Sequence, residues 1–171
     1  MFSKQDIEKY FFAEKQLALL FIIIGASAIV LALVFFFLLK TNLYRGAAIP
    51  LVIIGLLQLA VGLDVFKKSD THRIRNVYAY DMNPGQLKKE ELPRMKEVLK
   101  NFALIKWVEM GLTVTGLALV FYHRPQATNA FWYGLGLTLA AMTLLTFIAD
   151  VSAERRALQY SKGMESFVNR K

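Results

Sequence analysis

Lys106 and Glu109 lie three residues apart in the otherwise uncharged run FALIKWVEMGLTVTGLALVFY, residues 102–122. On a helix this spacing puts both side chains on one face, close enough to form an ion pair. A charge at membrane depth costs at least about 2.5 kcal/mol, and pairing inside a helix bundle is the usual way to offset that cost. The two residues therefore indicate either a buried structural network or a path for ions or protons.

Polar residues at matching depths occur in other apolar stretches. Counted at 1.5 Å per residue from the outer helix ends, Asp64 and Asp150 reach about the depth of Lys106, and Gln58 reaches about that of Glu109. We therefore expect Lys106 to pair with Asp64 or Asp150, and Glu109 to lie beside Gln58, in one intramembrane polar layer. These groups cluster toward one interface, which favours a structural role for the layer over conduction.

Four apolar blocks have the length that a membrane-spanning helix requires. They cover about residues 17–39, 46–65, 102–122 and 130–150 of a 171-residue chain that is 56% hydrophobic. A bilayer core about 30 Å thick needs roughly 20 apolar residues as helix. The first block is longer than the apolar region of a secretory signal peptide, so we interpret it as a retained span. The sequence predicts an all-α integral membrane protein.

Basic residues are distributed unevenly between the segments that flank these blocks. Seventeen lysines and arginines lie before the first block, in the 66–101 connection and after residue 150, whereas three lie in the other two connections. Because basic segments stay on the cytoplasmic side, both termini and the central connection of this multi-pass membrane protein are predicted to be cytoplasmic. This bias accounts for the net charge of +8, and we expect no nucleic-acid partner.

The helices are predicted to continue well beyond the membrane on the cytoplasmic side. Residues 66–101 form a helical hairpin with its turn at the tripeptide NPG, 83–85, and its second helix begins at Pro93, a favoured first helical position. A C-terminal helix covers 151–168. The expected architecture is a single membrane domain, residues 1–171, in which two hairpins extend into the cytoplasm as a four-helix bundle.

The two halves of the chain resemble each other at an offset of 86 residues. The pentapeptide LALVF occurs at 31–35 and at 117–121, a glycine stands six residues before each copy, and Asp64 aligns with Asp150. Because each half carries two spans, the copies would be parallel, related by an axis along the membrane normal. We therefore expect a tandem duplication of one helical hairpin.

Small residues recur at helical spacing on the first and third spans. Such residues let two helices approach closely in lipid. Both stripes are therefore predicted to be packing faces: Gly25, Ala28 and Ala32 on the first span, and Gly111, Thr115 and Ala118 on the third.

Residue patterns of catalytic, metal or cofactor sites do not occur in the sequence. There is no cysteine, which excludes disulfides and thiolate chemistry, and the two histidines, His72 and His123, would lie on opposite sides of the membrane. Neither a Gly-rich phosphate loop nor a nucleophile elbow is present. We predict a protein that is not an enzyme and that binds no metal or cofactor.

The stretch RIRNVYAYDMNP, residues 73–84, resembles a stretch in a family of uncharacterised small four-span bacterial membrane proteins. The resemblance covers mainly the central connection and implies no activity. The same region is basic and aromatic, which favours contact with anionic lipid headgroups at the cytoplasmic face or with a partner protein. The residues expected to make this contact are Lys67, Lys68, Arg73, Arg75 and Tyr78.

Two classes of function follow from these features. Four spans, inside termini and very small outer segments are similar to immunity proteins that protect bacteria from membrane-targeting toxins. The first class is therefore a protein that acts through protein–protein contacts, with toxin immunity as its most concrete form. The second is a small homo-oligomeric channel or carrier whose polar elements are Lys106, Glu109, Asp64 and Asp150.

Overall fold

Five α-helices and two π-helical turns form nearly all of the computed structural model, which describes residues 2–123 and 128–169. The helices are α1 (Lys4–Val34), α2 (Asn42–Met82), α3 (Pro84–Gln86), α4 (Leu92–Tyr122) and α5 (Ala130–Val168). One π-helical turn, Phe35–Leu39, extends α1, and the other, Leu87–Glu91, joins α3 to α4. The predicted all-α class is confirmed. Within the described residues, four helical segments are long and apolar enough to cross a membrane.

Side chains next to the helix ends explain where the first two long helices begin. The backbone N–H of Ser3 donates to the Asp6 carboxylate at 2.8 Å, which satisfies a donor that the start of α1 leaves free. Lys40 has a left-handed backbone with φ 54° and stops the first helical segment. The Thr41 hydroxyl then accepts a hydrogen bond from the N–H of Tyr44 and caps α2.

The connection between α2 and α4 differs from the predicted one in a single respect. α2 ends at Met82, as the NPG turn predicts, but helical backbone resumes at Pro84 and the π-helical turn continues directly into α4. The prediction that the second helix begins at Pro93 is therefore wrong. Because the chain is already helical at Glu91, that side chain is turned into the protein, where it is fully buried.

The four long helices lie side by side in the order α1, α2, α5, α4. α1 packs against α2, α2 against α5, and α5 against α4. In the most apolar stretch of α4, 11% of the residues are buried, whereas 33% are buried in the corresponding stretches of α2 and α5. α4 therefore lies at one edge of the molecule and leaves most of its apolar surface uncovered.

Glycines set the closest approaches between neighbouring helices. A Cβ added at Gly25 of α1 would lie 2.6 Å from the carbonyl oxygen of Gly55 in α2, so a larger residue would push the two helices apart. A Cβ added at Gly116 of α4 would lie 2.8 Å from the carbonyl oxygen of Gly136 in α5. The predicted stripe on α1 is a packing face, since Ala28 is buried beside Gly25.

The predicted small-residue stripe on the third span is not a packing face. A Cβ added at Gly111 would meet nothing within 4 Å, and Thr115 and Ala118 are exposed. The reason is that α5 packs on the opposite side of α4, at Gly116. Gly25 and Gly111, which align in the proposed duplication, thus have different surroundings.

Both termini and the α2–α4 connection meet at one end of the molecule, which we call the basal end: residues 2–15, 66–101 and 151–169. Its core is rich in aromatic rings, and Tyr10 stacks on Tyr160 with ring centroids 4.3 Å apart. Full burial of each large apolar side chain stabilises a fold by about 1.5–3 kcal/mol. The buried residues are Phe2, Ile7, Tyr10, Phe11, Ala79, Leu87, Leu92, Met95, Ala157, Tyr160, Met164 and Val168. All four long helices contribute to this core, so the basal end is a packed bundle.

Candidate functional site

Lys106 forms an ion pair with Glu154 of α5. Its Nζ lies 2.8 Å and 2.6 Å from the two carboxylate oxygens. The prediction that Lys106 pairs with Asp64 or Asp150 is wrong, because Glu154 lies one helical turn beyond Asp150. Side chains lean toward the N-terminus of their own helix. Since α4 and α5 run in opposite directions, the Lys106 and Glu154 side chains lean toward each other and meet across a difference in depth.

The polar residues of α2 are separate from this pair. Asp64 is exposed and forms an ion pair with Lys68 of its own helix at 2.8 Å. Gln58 is buried, and its Cβ lies against Gly25 of α1. Its Oε1 has no hydrogen-bond partner in the part of the chain that the structure describes, so the expected contact with Glu109 is absent there. The predicted polar layer is therefore not one network.

Glu109 and Asp150 belong to the seam between α4 and α5. Both residues are buried, and the Glu109 carboxylate faces Asp150 and Thr146. Farther from the basal end, the hydroxyls of Thr113 and Thr143 lie 2.8 Å apart. Beyond them the seam consists of small residues, where α4 and α5 touch through their backbones. The polar side chains of the seam, from Glu109 and Asp150 to Thr113 and Thr143, form a polar strip that therefore ends partway along the two helices.

A second polar network, which we did not predict from the sequence, lies inside the basal end. Glu91 accepts two hydrogen bonds from Arg94, at 2.6 Å and 2.9 Å. Arg75 lies 3.5 Å from the same carboxylate, and the Tyr160 hydroxyl donates to it at 3.4 Å. Burial alone would lower the pKa of Arg94, but the hydrogen bond and charge of Glu91 raise it overall, so the guanidinium stays charged. One carboxylate thus ties together α2, α4 and α5.

The network extends to α1 through Glu14. Its carboxylate accepts hydrogen bonds from the hydroxyls of Tyr10 and Ser69, each at 3.3 Å. Burial raises the pKa of Glu14, and the charge of Arg94 partly opposes that rise. Among the residues that the structure describes, no three His, Asp or Glu side chains are grouped so that they could hold a metal ion. The arrangement is that of a polar core joining helices.

The five residues expected to contact lipid or a partner do not form one basic surface. Lys67 and Tyr78 are exposed. Lys68 and Arg73 are both engaged with aspartates of their own helix. Arg75 points inward to the buried carboxylate of the basal network. Arg75 is therefore directed away from the outer surface, whereas Tyr78 lies on an exposed face. Contact of these five residues with lipid or a partner stays a prediction.

That exposed face of α2 carries an apolar stripe. Ile74, Tyr78 and Met82 follow one another at four-residue spacing and are 64%, 61% and 71% exposed. On the other side of the helix Asn76 is buried. At 1.5 Å per residue, the stripe runs from about 15 Å to about 27 Å beyond Asp64. It therefore lies well outside the apolar part of α2.

Comparisons of the chain with protein-family models, with curated proteins and with solved structures give no match.

Proposed function

We propose that this chain is a multi-pass protein of the bacterial inner membrane that is not an enzyme and that acts by binding another protein at its cytoplasmic basal end. The observation that carries the proposal is the exposed stripe of Ile74, Tyr78 and Met82 on α2. Apolar patches on a water-exposed surface mark interaction sites in soluble parts of proteins. Three large apolar side chains in a row on one helix face are such a patch.

The orientation in this proposal rests on charge and hydropathy. Four helices have the length and composition for spanning, and the basic residues are concentrated at the basal end. We place α1 with α2 and α4 with α5 as two parallel hairpins, derived from one duplicated unit. Asp64 is exposed whereas Asp150 is buried, so the two copies have diverged at the aligned position.

Distance from the bilayer favours a protein over lipid as the occupant of the stripe. Asp64 lies near the end of the second span, and the nearest stripe residue, Ile74, is about 15 Å farther into the cytoplasm. Acyl chains do not reach that far from the membrane. Side chains at four-residue spacing form a ridge along a helix, which fits an apolar groove or another helix of a partner. Toxin immunity remains the most concrete form of this function, with the toxin as the partner.

The channel or carrier alternative has less support. The polar strip between α4 and α5 ends at Thr113 and Thr143, and closely packed backbones follow. A polar path would have to continue across the membrane. α1 and α4 are not neighbours, since α1 packs mainly on α2 and α4 packs on α5, so one copy does not close a ring of helices around a path and several copies would be needed.

Site-specific photocrosslinking in living cells tests the proposal. A photoreactive residue at Tyr78 should give one discrete adduct with another protein. The same residue at Lys100, which is also exposed at the basal end, should give none. The Ile74→Ser/Met82→Ser variant should lose the Tyr78 adduct, and if the partner is a toxin, cells carrying that variant should lose protection. Adducts with lipid alone, or the same adducts from Lys100, would overturn the proposal.

A further inference from the structure

A groove of about 670 Å³ lies between α1 and α2 where the basal end meets the apolar part of the molecule. Its lining combines apolar and charged side chains. The apolar ones are Phe12, Leu19 and Phe66, the cationic ones are Lys9, Lys15 and Arg73, and the acidic ones are Glu8 and Asp70. Such a lining suits a ligand with an apolar part and an anionic part.

Asp70 is shared by two of the cations in this groove. Lys15 forms an ion pair with it, and Arg73 lies 3.6 Å from the same carboxylate. The hydrogen bond from Lys15 lowers the pKa of Asp70, so this carboxylate is ionised at neutral pH. In the described part of the chain Lys9 has no acidic partner. Glu8 also lines the groove, so its three cations and two carboxylates leave a net charge of +1, and Arg73 is only loosely neutralised.

The groove lies at the level where the predicted spans end. The first span begins at about residue 17 and the second ends at about residue 65, so Leu19 is inside the membrane and Phe66 is at its boundary. Phe12, whose side chain is 62% exposed, precedes the first span by about one helical turn and lies on its cytoplasmic side. The ammonium of Lys15 lies over the Phe66 ring, 4.8 Å from its centroid, where the apolar and charged parts of the groove meet.

We infer that this groove binds one anionic phospholipid of the cytoplasmic leaflet. The acyl chains lie along Leu19 and Phe66, and the headgroup phosphate is bound by Lys9 and Arg73. Inner-leaflet anionic lipids are attracted to basic side chains at this level of a membrane protein. The inference depends on the proposed membrane orientation but not on the protein partner, because no stripe residue lines the groove.

Native mass spectrometry of the purified protein tests the inference, with phosphatidylglycerol and phosphatidylcholine of identical acyl chains as the probes. The parent should retain phosphatidylglycerol preferentially. Lys9→Gln/Arg73→Gln should bind it roughly 30-fold more weakly, from the usual contribution of two basic residues near an anionic surface. Lys96→Gln/Lys100→Gln removes the same charge from exposed positions on α4 and should bind like the parent.

A second variant keeps every charge in place. Gln16→Trp, at an exposed position in the groove lining, should lower phosphatidylglycerol retention by narrowing the groove. Unchanged retention in Lys9→Gln/Arg73→Gln, or equal retention of phosphatidylcholine by the parent, would overturn the inference. Complete displacement of the lipid by inorganic phosphate would also overturn it, because the ligand would then be a soluble anion. Normal retention by Ile74→Ser/Met82→Ser would confirm that this site is independent of the protein-binding stripe.

Discussion

Replacing Glu91 by glutamine should strongly destabilise the basal end. The Glu91 side chain is 1% exposed, and glutamine has nearly the same size, so the change removes the charge with little loss of packing. Arg94 then loses the carboxylate that accepts two of its hydrogen bonds, at 2.6 Å and 2.9 Å. Removing one member of a buried ion pair costs about 3–5 kcal/mol. Because Arg94 and Arg75 keep some access to water, we expect the lower end of that range, about 3 kcal/mol.

Thermal unfolding in detergent measures this effect. For a chain of this size, 3 kcal/mol corresponds to a fall in Tm of roughly 6–12 °C. Glu97→Gln is the matched control, since Glu97 is exposed on the same helix and should change stability by less than about 0.5 kcal/mol. The double variant Glu91→Met/Arg94→Met should recover much of the loss, because the desolvation cost disappears with the charges. A Glu91→Gln protein that melts like the parent would refute a stabilising role for this network.

Two further predictions use the same thermal assay on the α4–α5 seam. Lys106→Met should lower Tm because it leaves the Glu154 carboxylate without its partner. Adding Glu154→Met should restore much of the lost Tm, whereas adding Asp64→Leu should not, because Asp64 is not the partner. Rescue by Asp64→Leu would contradict the observed pairing. Gly116→Leu should prevent close packing of α4 on α5, whereas Gly111→Leu should be tolerated because a side chain there meets nothing within 4 Å; equal loss of Tm in the two variants would show that the α4–α5 seam is wrongly placed.

The helices themselves could be predicted because each is determined by a local feature. Long apolar blocks and the NPG turn at 83–85 are each contained within one helix or within a few residues. The end of α2 at Met82 follows directly from that turn. Hydropathy likewise identifies which segments can span a membrane.

The helix faces that pack could not be predicted on α4, because the sequence offers two of them. Gly111 and Gly116 are five residues apart and therefore lie on different sides of the helix. Either glycine could line a close contact, and the position of α5 decides that Gly116 does so. A spacing rule describes one helix, whereas packing depends on its neighbour.

The basal network was missed for a related reason. Next to Pro93, Glu91 has the appearance of an acidic residue before a helix N-terminus, which normally faces water. The π-helical turn Leu87–Glu91 rotates it toward the core, where Arg75 and Tyr160 arrive from α2 and α5. Because Arg75 and Tyr160 lie in other helices, their contacts with Glu91 produce no local pattern in the sequence.

The cytoplasmic orientation of the basal end is the central claim, since both the protein partner and the phospholipid depend on it. The chain has no cysteine, so single cysteines at the exposed residues Asn83 and Thr128 give clean reporters. A membrane-impermeant maleimide is added to spheroplasts, in which the inner membrane is intact and its outer face is accessible. We predict labelling at Thr128→Cys, and protection at Asn83→Cys until the inner membrane is permeabilised. Labelling of Asn83→Cys from outside, with Thr128→Cys protected, would place the stripe of Ile74, Tyr78 and Met82 on the wrong side of the membrane and contradict the account.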